Sequence, residues 1–256
     1  MSNSKLKMFT KLYLKDLHEV TAEILIVVIG VVLVTIGFSL DSEVPPPAFL
    51  FPLFLLLGLV GFLPLLSSFK LLSREWSHNT VYLVMSLPVS GAMILASKMM
   101  VLLTQYVGGT LLLGLSGYLL FATKLFQYIA PYQPDLAVLA NNPELVSNLL
   151  AFYLAGLAFL VFLCCTSFFS QIAGRLSAKF SGLVTAVTFV FTLILSGKLL
   201  EALGTGSHEV NLVMVRMSGN TDSLVNSLYL SSLGYLLLAI ILFILAAVIY
   251  DRKLEL

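Results

Sequence analysis

Ser73-Arg74-Glu75-Trp76-Ser77-His78-Asn79-Thr80-Val81-Tyr82-Leu83-Val84-Met85-Ser86-Leu87-Pro88-Val89-Ser90 is a short polar interruption between two long apolar runs, and those runs decide the kind of molecule this is. Upstream lies Ala48–Leu72 and downstream Ala92–Ala122. Each is long enough to cross ~30 Å of hydrocarbon as a helix, which takes roughly 17 to 25 residues. The same criterion, applied outward, adds Ile24–Leu40, Asn148–Ala173, Ser181–Leu200 and Leu224–Tyr250, for six spans in all. The expected fold class is all-α: a polytopic membrane protein with six transmembrane helices in a single transmembrane domain, residues 1–256. Composition agrees, with 59% apolar and 11% charged residues, since a soluble domain of this length needs more charge to cover its surface.

An even number of spans puts both termini on one side, and the Lys/Arg bias says which side. Lys5, Lys7, Lys11, Lys15, Lys70, Arg74, Lys98, Arg175, Lys179, Arg252 and Lys253 fall on the terminal side, against Lys124, Lys198 and Arg216 opposite. Both termini, and with them the loop at residues 73–91, are therefore expected in the cytoplasm of a cell that carries the chain in its plasma or inner membrane. No cleavable signal peptide is evident, because the segment before the first span is too long and amphipathic. Within residues 1–23, Leu6, Phe9, Leu12, Tyr13, Leu17 and Val20 recur at helical spacing beside Lys5, Lys7, Lys11 and Lys15. This pattern predicts an interfacial helix with its lysines among anionic membrane lipids.

The connections are unequal. Pro45-Pro46-Pro47 stiffens the turn between the first two spans. The outer segment Thr123 to Ser147 ends in Asn142-Pro143-Glu144, which reads as a helix start with Asn as N-cap and Pro at the first helical position. Glu201 to Asp222 forms the other outer segment, and it reads equally as a surface loop or a partly inserted hairpin.

No catalytic constellation emerges. His18, His78 and His208 fall on segments that the topology keeps apart, so no histidine metal site is expected. No serine sits in a Gly-x-Ser-x-Gly elbow, and no Gly-x-x-x-x-Gly-Lys-Ser/Thr loop is present, so the chain is not expected to be an enzyme or to hydrolyse nucleotide. The net charge of +1 carries no signal for nucleic acid. Cys164 and Cys165 are adjacent on one helix, where about 100° separates neighbouring side chains, and cannot easily bridge each other. Intramembrane ionisable residues, the usual markers of an ion path, are nearly absent, and Lys98 is placed to snorkel toward the headgroups. Gly58, Gly61, Gly108, Gly109, Gly114, Gly117, Ala151, Ala155 and Gly156 permit close helix approach. Pro52 and Pro64 can kink the second span.

The interrupting loop itself combines several signals. Arg74 and Glu75 end the second span at the water interface, Ser77, Asn79 or Thr80 can cap a new helix, and Val81 to Leu87 supplies about two apolar turns before Pro88 interrupts them. Ser90 can cap the third span. A short apolar helix outside the hydrocarbon either lies back on lipid or docks in a partner's groove.

In this segment the chain resembles the membrane subunits of type-2 ATP-binding cassette transporters. Their pattern runs from an Arg/Glu-rich stretch through Gly-Thr-Leu-Glu and an apolar stretch to Leu-Pro-Val-Ser-Arg, with a Gly-Lys in the next helix. The matching residues here are Arg74-Glu75, Thr80, Leu83, Ser86-Leu87-Pro88-Val89-Ser90 and Ser97-Lys98. Departures are Asn79 where Gly is usual, Tyr82 for the acidic residue and Gly91 for the basic one. The resemblance implies a permease subunit that contacts a cytoplasmic ATPase through Arg74, Glu75, Thr80, Val81, Leu83, Val84, Leu87 and Pro88. It further implies a second permease subunit, identical or different, met through the second and fifth spans. ATP and Mg would be bound by the partner ATPase and no cofactor by this chain. Because the spans are apolar and nearly free of charge, export of a peptide, antibiotic or lipid-like molecule is the first expectation. Service to metalloenzyme maturation, or a non-transporting membrane scaffold, is the alternative.

Overall fold

A computed structural model describes residues 2–40, 47–77, 90–120, 143–177, 180–202 and 221–254. These residues are almost entirely helical, in seven helices. They are α1 (Ser2–Glu19), α2 (Thr21–Leu40), α3 (Pro47–Ser77), α4 (Gly91–Leu120), α5 (Pro143–Gly174), α6 (Ser181–Ala202) and α7 (Thr221–Leu254). Helix is what an apolar chain must form in lipid, because hydrocarbon supplies no partner for backbone N–H and C=O groups. Five of the helices, α3 to α7, are long and apolar enough to cross a membrane, and the pair α1–α2, bent by 54°, makes a sixth if taken as one span. The chain is a multi-pass membrane protein.

Helix boundaries move the interrupting loop. α3 runs through Ser77, so Ser73 to Ser77, expected to lie in the loop, are a continuation of the helix. Arg74, Glu75 and Trp76 favour this, since none of them breaks a helix. Pro143 stands at the first position of α5, as its missing N–H favours. Pro45, Pro46, Asn142, most of the two predicted outer segments, His78 and His208 lie outside the described residues.

Contacts divide the chain into two units. The first takes its described residues from Met1–Leu71 and Ala96–Leu139. Its core is Val27 and Val31 of α2, Leu56 and Val60 of α3 and Leu113 of α4, flanked by Val34, Leu59, Leu63 and Tyr106. Gly109 closes the α3–α4 approach: a Cβ there would meet Val60 Cγ1 at 2.8 Å. Gly58, Gly61, Gly108, Gly114 and Gly117, which the sequence also offers for close packing, have open space where a Cβ would be. Close approach of α3 and α4 therefore rests on Gly109 and not on these five.

In the same unit α1 does not present its whole apolar stripe outward. Leu12, Asp16 and Val20 are buried, while Leu6 and Leu14 are exposed. Lys98 overturns its expected role. It is 0% exposed, and its ammonium meets Asp16 Oδ1 at 3.3 Å instead of snorkelling. A carboxylate brought from α1 satisfies the charge where it stands, so the stem has no need to reach for water.

The second unit takes its described residues from Leu72–Leu95 and Ala140–Leu256. α5 packs along α7 and against α6. Small residues, Ala151 and Ala158 on α5 and Ala239, Ala246 and Ala247 on α7, are buried there and let the backbones come close. Phe159 and Phe162 meet Tyr235 with ring centroids 5.2 and 5.5 Å apart. Thr166, Ser170, Thr192 and Ser196 donate to carbonyls three or four residues earlier, so their hydroxyls are satisfied without water. Cys164 and Cys165 are free and buried.

Candidate partner-docking site

Ser77 and Ser90 are the described residues that flank positions 78–89, and the second unit holds both stems. On the α3 side, Trp76, the sole tryptophan, is wedged between two elements. Its ring meets Tyr250 of α7 edge-on, with centroids 6.4 Å apart and planes at 81°, and the guanidinium carbon of Arg175, just past α5, lies 5.4 Å from its centroid. Both geometries are attractive, the first through the ring quadrupoles and the second through a cation over a π face.

On the α4 side, Asp251 Oδ1 accepts the N–H of Gly91 at 2.6 Å. The first N–H groups of any helix lack an intrahelical acceptor. A carboxylate there satisfies one of them and opposes the positive end of the helix dipole. Ser90 stands in the N-cap position, its carbonyl accepting from Met93 and Ile94 at 2.9 and 3.2 Å, and α7 adds a cap on the Gly91 N–H. Gly91 has to be small: a Cβ would lie 2.6 Å from Tyr250 Cδ1 and 2.7 Å from Asp251 Oδ1. One helical turn of α7, Tyr250 and Asp251, therefore clasps both stems of the segment 78–89.

Of the residues predicted to meet an ATPase, Arg74 is exposed and Glu75 is 2% exposed. The two are neighbours on a helix and diverge by about 100°, which turns only Arg74 outward. Thr80, Val81, Leu83, Val84, Leu87 and Pro88 lie outside the described residues. Sequence reasoning passed over Trp76, Gly91, Arg175, Tyr250 and Asp251. A lone tryptophan at a helix end and a Tyr-Asp pair closing the last apolar run were visible signals, but nothing in the chain order couples them.

Among the described residues no group of three or more His, Cys, Asp or Glu side chains could hold a metal ion. Known protein families, curated proteins and solved structures were compared with the chain, and none matches it.

Proposed function

We propose that the chain is the permease subunit of a type-2 ATP-binding cassette transporter, paired with a second permease subunit and driven by separate cytoplasmic ATPases. In this reading the chain has six spans, α1 lies at the inner headgroup layer, and residues 78–89 carry a short coupling helix. The supporting observation is the clasp. A slack surface loop has no need of stems fixed to a distant helix, whereas a segment that receives a push must transmit it into the spans, and Trp76, Gly91, Tyr250 and Asp251 give it a firm base. The segment so held is the one whose sequence resembles the family's coupling region. Export of a peptide, antibiotic or lipid-like substrate remains the preferred cargo because the spans are apolar.

The test is association. If Val81, Leu83, Val84 and Leu87 form the apolar face that enters an ATPase groove, Leu83→Asp or Val84→Asp buries an unpaired charge there, at a cost of about 2–5 kcal/mol. That weakens binding roughly thirty-fold or more. Co-purification of an ATPase in mild detergent should be lost at normal membrane abundance, with Val138→Asp as the control. Undiminished binding in both variants would defeat the docking role, and vigorous ATP hydrolysis by the purified chain alone would defeat the permease reading.

A further inference from the structure

The bend between α1 and α2 is bonded to both helices that border residues 78–89, and nothing in the sequence pattern requires this. Toward α4, Asp16 accepts from Lys98 Nζ at 3.3 Å and from Ser97 Oγ at 3.1 Å. Three residues earlier the hydroxyls of Tyr13 and Thr104 meet at 3.0 Å, so α1 lies antiparallel along the first turns of α4. Toward α3, Lys70 pairs with Glu23 and its Nζ also lies 3.5 Å from the Glu19 carbonyl. Glu19 and Glu23 bracket the break at Val20, which is itself fully buried.

The bend is also hydrogen-bonded. Glu23 and Ile24 donate backbone bonds to the Val20 carbonyl at 3.1 and 3.2 Å, and the Thr21 hydroxyl donates to the His18 carbonyl at 2.5 Å. An elbow so bonded, with one ion pair on α3 and another on α4, links those two helices. A direct α3–α4 contact, Val60 on Gly109, lies ten residues before Lys70 on α3, about 15 Å farther from the loop. The elbow ties the two helices between that contact and the stems held by Tyr250 and Asp251.

We propose that the α1–α2 elbow is a strap that makes α3 and α4 move as one body where they border residues 78–89, with Asp16, Ser97, Lys98, Glu23 and Lys70 as its positioning residues. Its purpose, carrying the push of an ATPase into the spans, rests on the permease reading; its geometry does not. Charges suit the task because separating a buried pair is costly in low dielectric, so the pair holds register where apolar contacts would slide.

The experiment places spin labels at Leu66→Cys and Met100→Cys, two exposed positions on α3 and α4, in the full chain in nanodiscs of phosphatidylcholine and phosphatidylglycerol. The native cysteines are buried and so shielded from the label. The label-to-label distance distribution should be narrow in the otherwise unchanged chain and broader in E23Q. It should also broaden in D16N/K98M, which removes both charges together and so avoids leaving one buried and unpaired. D16K/K98D keeps the combined reach of the two side chains and should restore the narrow distribution, which a change acting only through packing would not do. Equal widths in all variants, or no rescue by the swap, would overturn the strap. With the co-purified ATPase trapped by ATP and vanadate, the unchanged chain should keep its Leu66–Met100 spacing while E23Q lengthens it, and a spacing that shifts in the unchanged chain would likewise overturn the strap. Failure of any ATPase to co-purify would count against the permease reading alone, since the nanodisc comparison judges the strap without it.

Discussion

Lys98 shows how far one side chain can depart from what its place in the chain implies. A lysine near the end of an apolar helix is expected to stretch to water, and it does so unless a counter-charge arrives first. Here the counter-charge is 82 positions away. No local pattern announces it, because Asp16 reads as one more polar residue of an amphipathic segment. The pair has an asymmetric consequence. Asp16→Asn alone leaves a buried ammonium without its carboxylate, which costs about 3–5 kcal/mol, whereas D16N/K98M removes both charges and should cost much less. Thermal unfolding in detergent, followed by Trp76 fluorescence, should therefore place the single variant well below the double one. Equal losses would show that the carboxylate does not carry the interaction.

Among the helices, sequence reading located the long apolar elements well and their ends less well. Span positions were legible because about twenty apolar residues in a row have one stable arrangement in lipid. The helical continuation through Ser77 was not, since Ser73-Arg74-Glu75 marks a change of polarity and polarity is a poor guide to where hydrogen bonding stops. The clasp on the loop was invisible for a related reason: Arg74 and Glu75 drew attention by charge, while Trp76 and Gly91 act by shape against α7. Its cap is testable by itself. Asp251→Ala uncovers the Gly91 N–H and should destabilise the start of α4 by about 1 kcal/mol. Hydrogen exchange over residues 91–95 should quicken roughly five-fold by the usual conversion, with the middle of α4 unchanged. An unaltered α4 start would mean the bond contributes nothing to holding that stem.

For the molecule as a whole, the Lys/Arg bias makes a prediction that stands apart from any family resemblance. Cysteines introduced at Asn79 and Ser177 should react only with reagent on the cytoplasmic side, and one at Gln133 only from outside. Burial of Cys164 and Cys165 keeps the background low. Reversed labelling would place the loop on the wrong face for an ATPase and remove the docking argument with it. The fold class could be read from composition and run length because membrane insertion depends on just those quantities. What joins one helix to another could not, because those joints are single side chains met across the fold. The carboxylate on Gly91 adds a matter of timing. It belongs to a residue 160 positions downstream, and ribosomes add about 5–20 residues per second, so α4 waits on the order of ten seconds or more for its cap. A growing chain therefore exposes residues 78–89 on an unfinished base, and the segment is held at both stems only after residue 251 has emerged and α7 has taken its place. Nascent chains stalled before that point should be poor baits for any partner that requires the clasped form, which makes synthesis of α7 a gate on assembly.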